Sequence, residues 1–229
     1  MKVIKINNIR NYEIIRAGNF VLREKWEEFY FALREKWKKL HKDKRINYKD
    51  EIDIINNAFE KWIIQGMGNI IRFNYEENIE REILSDERAR IYFITINEEI
   101  VKIGGSINRG GIRRTISFYE NALTGSPGRP RFIIHLLIAE TLTLNLNSKI
   151  EVYFTFLPSC DVKYKPFFSD SGEEDIQISE YKIFEEKCLE EFKKLLGKYP
   201  AWNFQENKES YPENLEKLYN IYQREVRKK

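Results

Sequence analysis

The chain has 229 residues, enough for one large domain or a core with an appended module, and enough to bury a substantial core without a disulfide or metal staple. Charged residues are 33% of the total, yet 39 Lys and Arg against 36 Asp and Glu leave only +3, which excludes a polycationic chain and leaves open a local basic surface. Two cysteines with no CxxC spacing and two histidines give no basis for a disulfide framework, a structural zinc site or an HExxH protease.

In chain order, the word REKW stands at Arg23–Trp26 and again at Arg34–Trp37, a separation that returns to the same face of a helix. Apolar residues at Val21, Trp26, Phe29, Tyr30, Leu33, Trp37 and Leu40 predict an amphipathic helix from Phe20 to about His41. A second is expected from about Tyr48 to Gly66, so residues 1–88 read as mainly helical, a recognition or dimerisation region.

The pattern changes at Ala89. Arg90–Ile96 is β-branched and aromatic, Asn97-Glu98-Glu99 breaks it, and Ile100–Ile103 resumes, which predicts a β-hairpin closed by Gly104-Gly105. A helix is expected over about 111–123, an apolar helix over Arg131–Leu144 and a strand over Lys149–Leu157. Ser159–Ser179 reads as a polar connector, Tyr181–Leu196 as an amphipathic helix ended by Gly197, and 212–227 as a last helix opened by a Ser210/Glu213 capping box. The fold class expected is α+β: a small three-stranded sheet in a β-β-α-α-β-α core over 89–204, with the helical region before it and a C-terminal helix over 205–229. The first residues lack an apolar signal core and no apolar run reaches bilayer length, so a cytoplasmic protein without a membrane segment is expected.

Charge is unevenly placed. From Lys102 to Arg131, Lys102, Arg109, Arg113, Arg114, Arg129 and Arg131 stand against Glu120 alone, among glycines, which suits a phosphate-contacting surface; loop solubilisation is the plainer alternative. The basic residues between Phe20 and Asp50 read more simply as a solvated helix face. On the Tyr181–Leu196 helix, Glu185 falls inside the apolar stripe of Tyr181, Phe184, Cys188, Leu189 and Phe192. A carboxylate there needs a cation or a metal, or else sits at the edge paired with an arginine.

Arg90-Ile91-Tyr92 on one strand, Lys102-Ile103-Gly104 on the next, an arginine on the following helix and Glu185 on a later one resemble the GIY-YIG nuclease family. Arg90 stands where the family has Gly, and Lys102 where Tyr is usual. Pro200-Ala201-Trp202-Asn203 matches a family turn, and the resemblance spans about 89–204. It implies a metal-dependent endonuclease acting on double-stranded DNA, of the type II restriction kind, with Mg²⁺ or Mn²⁺ as cofactor and a homodimer as the working form. It also implies Tyr92, Lys102, Arg113 and Glu185 as catalytic residues. Glu185 binds the metal, Tyr92 acts on the attacking water, Lys102 assists it or takes the proton itself, and Arg113, or failing that Arg114, holds the phosphate. Arg114, Arg109 and Tyr119 are further candidate phosphate contacts, although Tyr119 also suits simple packing, and His135 reads as a satisfied core histidine.

Two other readings use different features. Glu151 followed by Asp161-Val162-Lys163 has the shape of a PD-(D/E)xK metal site, provided that Asp161–Lys163 forms a strand beside Glu151. A non-enzymatic DNA-binding regulator would instead use the helices at 20–66.

Overall fold

The computed structural model describes residues 3–41, 45–164, 174–178 and 180–227, with side chains described outside 160–164 and 174–178. Its elements are β1 (Ile15–Leu22), α1 (Glu24–Leu40), α2 (Tyr48–Ile64), β2 (Ile71–Tyr75), α3 (Arg81–Ser85), β3 (Arg90–Ile96), β4 (Glu99–Ser106), α4 (Gly111–Glu120) and α5 (Arg129–Leu144). They continue with β5 (Ile150–Phe156), β6 (Cys160–Tyr164), β7 (Glu174–Ile178), α6 (Tyr181–Leu196), α7 (Phe204–Asn207) and α8 (Glu213–Arg227).

The class is α+β, but the expected three-stranded sheet is corrected to five strands in the order β2-β1-β5-β3-β4, with β6 and β7 forming a separate two-stranded sheet. The extra strands of the large sheet come from the region read as helical. Ile71-Arg72-Phe73-Asn74-Tyr75 alternates apolar and polar, the period of a half-buried strand, and pairs antiparallel with β1. Phe20 to Leu22, read as the start of a helix, are the end of β1, and Phe20 packs edge-on against Phe73 with ring centroids 4.8 Å apart. Gly18 permits this pairing: its φ is +142°, and a side chain there would meet the Asn74 carbonyl at 2.0 Å. The polar connector likewise contains β6 and β7, paired from Cys160↔Ile178 to Tyr164↔Glu174.

Contacts divide the chain into two interleaved units. The first comprises Met1–Ala17, Glu76–Thr115 and Glu151–Asn203. Here β3 and β4 form the expected hairpin, turning through Asn97 and Glu98, both at positive φ as a tight two-residue hairpin requires. One face of the hairpin carries Ile91, Phe93 and Ile103, which pack with Leu189 and Phe192 of α6. Leu189 and Phe192 of the α6 stripe are thereby buried, with Tyr181, Phe184 and Cys188 half-buried, and the helix ends at Gly197 in the left-handed conformation, its N–H on the Lys193 carbonyl at 2.7 Å. At β4, the last strand of the sheet order, the buried Asn203 amide accepts from the Ile103 N–H and donates to the Ile103 carbonyl, each at 2.9 Å. A side-chain amide thus occupies backbone groups that an edge strand would leave open.

The second unit comprises Gly18–Tyr75, Ile116–Ile150 and Phe204–Lys229. Its core is aromatic: Trp26 stacks on Phe59 at 5.0 Å and meets Trp62 edge-on at 5.3 Å, and the Trp26 indole N–H donates to Thr143. Helix α8 buries Leu215, Leu218 and Tyr222, and the Tyr222 hydroxyl reaches the Gly125 carbonyl at 2.8 Å. It begins at Glu213, whose carboxylate pairs with Lys217 at 2.8 Å.

Candidate active site

All four residues expected to be catalytic lie in the first unit. The β3–β4 register places Tyr92 opposite Gly104 and Ile94 opposite Lys102. Cross-strand partners share a face, and residues two apart on a strand do too, so Tyr92, Lys102 and Gly104 occupy one face of the hairpin. The Tyr92 ring lies directly over Gly104: a Cβ built there would stand 2.4 Å from both Cζ and the hydroxyl oxygen. The next residue faces the other way. A Cβ on Gly105 would meet the Tyr181 ring at 2.7 Å and Glu185 Oε2 at 2.8 Å. The phenol and the carboxylate therefore flank two consecutive glycines of the edge strand, one on each face, with bare backbone between them.

Lys102 is half-buried on the phenol's face. Helix α4, which carries Arg113 and Arg114, is tied to the end of β4: Thr115 Oγ1 meets Ser106 Oγ at 2.9 Å and accepts from Asn108 Nδ2 at 3.2 Å. Its first residue, Gly111, has φ +68° and would carry a Cβ 2.3 Å from the Leu84 carbonyl, so only glycine fits this close approach. Arg113 is half-buried, whereas Arg114 and Arg109 are exposed.

The remaining candidates separate from this group. Tyr119 belongs to the second unit and is buried, and its carbonyl accepts from His135 Nδ1 at 2.8 Å. The other ring nitrogen of His135, Nε2, accepts from the Ile70 N–H at 3.3 Å, so the ring is neutral and saturated with partners; burial pushes its pKa down to about 4. The core-histidine reading of His135 is thus how the ring is used.

Glu151 is buried on β5, accepting from Arg16 Nε at 2.9 Å and from the Tyr153 hydroxyl at 3.1 Å. Burial first, then the Glu151 charge and hydrogen bond, pushes Tyr153 up to about 12. Asp161–Lys163 does form a strand, but β6 pairs with β7 in its own sheet rather than with β5, which removes the arrangement that the PD-(D/E)xK reading requires. The side chains of Asp161 and Lys163 lie outside the described residues.

Among the described residues no three His, Cys, Asp or Glu side chains gather as a metal cluster. Cys188 is no substitute ligand, because burial, then the charges of Glu191 and Glu185, pushes its thiol up to about 12. A lone carboxylate suits a hydrated, exchangeable Mg²⁺ or Mn²⁺, which keeps most of its waters, rather than an all-protein cage. Two parts of the site were not assigned a role from sequence. Gly105 had a signal, because a glycine inside a strand marks close approach. Asn203 had only a turn motif, with nothing in it to point at Ile103.

No family model matches the chain, and no curated protein matches it. Among solved structures, an EndoII mutant of bacteriophage T4 is similar over 50% of this chain and 70% of that one, at 24% identity and a TM-score of 0.32. The restriction endonuclease HPY188I in complex with product DNA is similar over 68% of this chain and 84% of that one, at 22% identity and a TM-score of 0.32.

Proposed function

We propose that the chain is a divalent-metal-dependent endonuclease that hydrolyses phosphodiester bonds in double-stranded DNA, acting as a cytoplasmic homodimer of the type II restriction kind. The observation that carries this reading is the pair of side chains at β4: the Tyr92 hydroxyl over Gly104 and the Glu185 carboxylate against Gly105. Phosphodiester hydrolysis needs an oriented water, charge stabilisation on the phosphate and help for the leaving oxygen. The Tyr92 oxygen accepts a hydrogen bond from the attacking water and aligns it, while Lys102 on the same face supplies positive charge beside it. Arg113 holds the non-bridging oxygens through its planar fork. Glu185 would hold Mg²⁺ or Mn²⁺, which when bound supplies charge neutralisation at the 3′ leaving oxygen. Arg109 and Arg114, exposed at the start of α4 and in the loop before it, extend the basic surface along the substrate backbone.

The test is incubation of the full chain with supercoiled and linear plasmid, with Mg²⁺, Mn²⁺ or a chelator. Discrete metal-dependent fragments are expected, and Tyr92→Phe and Glu185→Gln each lower the rate by about a hundredfold or more, the usual scale for losing a proton-handling or charge-stabilising group. Binding without cleavage of any plasmid under these conditions would sink the nuclease reading in favour of a DNA-binding regulator.

A further inference from the structure

The densest positive charge in the sequence lies outside the candidate active site. Between Lys36 and Lys49 the sole acid is Asp43. Within the second unit, the described part of this stretch exposes Lys36, Lys39, Arg45 and Lys49, and none of these four forms an ion pair among the described residues. Three of the neighbouring acids are occupied, while Asp53, exposed four residues beyond Lys49 on α2, has no ion pair among the described residues. Glu35 is held by Lys38 at 2.6 Å, Glu51 accepts from Arg34 Nε at 2.8 Å and from the Tyr30 hydroxyl, and Asp50 accepts from the Asn47 N–H at the start of α2. Among the described residues, the stretch therefore presents four exposed cations that no carboxylate ion-pairs.

Helix stability explains only part of this charge. Lys38 and Lys39 fall in the last turn of α1, where a cation complements the helix dipole. Lys49 is in the first turn of α2, where the dipole disfavours a cation, and Arg45 precedes that helix altogether. Lys36 and Lys39 lie three apart on α1 and so sit together on its surface. Tyr48, 73% exposed, and Leu40, 70% exposed, stand among these cations, with Trp37 stacked on His41 at 4.0 Å between ring centroids.

We propose that the end of α1 and the start of α2, through Lys36, Lys39, Arg45 and Lys49, form a binding surface for the phosphate backbone of duplex DNA. Charge complementarity selects this occupant: four exposed cations with no ion-paired carboxylate among the described residues release counterions from a polyanion, and a second copy of the same surface would repel it. The choice of DNA over another polyanion rests on the endonuclease reading; the surface itself is independent of Tyr92 and Glu185.

The test measures anisotropy of a labelled 30-base-pair duplex with the full chain in chelator, across a salt series, for the wild type and the variant Lys36→Gln/Lys39→Gln/Arg45→Gln/Lys49→Gln. The expected result is a weakening of at least about tenfold near 150 mM salt and a salt slope shallower by about 0.9 for each lost phosphate contact. Exchanging Lys for Arg and Arg for Lys at these positions should restore the wild-type slope, and thermal melting confirms that the variant is folded. A folded variant with unchanged affinity and slope overturns the proposal. So does a variant that loses self-association in sedimentation while keeping its DNA slope, because the surface would then be an interface between copies. A wild type that binds with a steep slope shed by the variant, yet cuts no plasmid in Mg²⁺, removes the endonuclease reading and leaves this surface standing.

Discussion

Adding one methyl group at Gly104 separates the geometry of the site from the stability of the fold. A Cβ at this position would stand 2.4 Å from Cζ and the hydroxyl oxygen of Tyr92 and 2.7 Å from Cε1, against an ordinary contact of 3.4–4 Å. The ring or the strand must therefore yield by about 1 Å. Overpacking of this kind costs about 1–3 kcal/mol. Gly104 has no positive φ, so alanine recovers about 0.4–1 kcal/mol through the unfolded chain. The net loss is about 0–3 kcal/mol, a fall of up to roughly 10 °C in Tm for a chain of this size. The effect on chemistry is larger, because misplacing a reacting group by about 1 Å can cost about a hundredfold. Initial rates of plasmid cleavage at saturating protein in Mg²⁺, with Tm measured on the same samples, check both numbers. Gly128→Ala is the control: its added Cβ meets only Pro130 Cδ, at 3.9 Å, and its rate should stay within twofold. A Gly104→Ala protein that melts like the wild type and cuts within twofold of its rate would refute the placement of the Tyr92 hydroxyl in the reaction.

Asn203→Ala removes both bonds to Ile103 and leaves a buried N–H and carbonyl without partners, so a loss of about 2–4 kcal/mol is expected in urea denaturation; a loss below about 0.5 kcal/mol contradicts the edge-capping role. His135 is held neutral in the fold with a pKa of about 4, whereas the unfolded residue protonates near 6.5. The unfolded state binds more protons in this window, so stability is intact above about pH 6.5 and falls as pH drops towards 4, by about 3 kcal/mol from this group. Denaturation curves at pH 7 and 4.5 should show a steeper loss for the wild type than for His135→Gln, and equal losses would exclude the histidine as the cause. Glu185→Ala should abolish metal-dependent cleavage while Asp161→Ala leaves it within a few-fold; the reverse pattern returns the PD-(D/E)xK assignment to consideration.

The elements that announced themselves in the sequence are those whose burial is decided locally. The β3–β4 hairpin carries its own polar turn, α6 carries a stripe of Tyr181, Phe184, Leu189 and Phe192 with Gly197 at its end, α2 keeps one period over four turns, and α5 is a continuous apolar run buried on all sides. The shared face of Tyr92 and Lys102 was not legible in this way: the turn alone would pair Phe93 with Lys102, and the bulge between Ile94 and Thr95 shifts Lys102 opposite Ile94, onto the face of Tyr92. The amino-acid order also showed Glu185 as a carboxylate out of place on an apolar stripe.

What the order of residues left open is pairing between distant segments. Strands β1 and β2 pair across a long stretch of chain, Gly18 against Tyr75, so neither hydrophobic run names the other, and both were absorbed into helical readings. The pairing of β6 with β7 rather than β5, the saturation of His135 by Ile70 and Tyr119, and the capture of Ile103 by Asn203 are likewise contacts between segments that no local period encodes. The same holds for the site. Spacing on α6 nominated the carboxylate, and the resemblance to the GIY-YIG nucleases nominated the phenol and the ammonium, but only the packing of α6 against the hairpin sets Glu185 at Gly105 while Tyr92 lies over Gly104. Local sequence determines which face of an element is apolar, whereas close packing of whole elements determines which two groups meet across a strand.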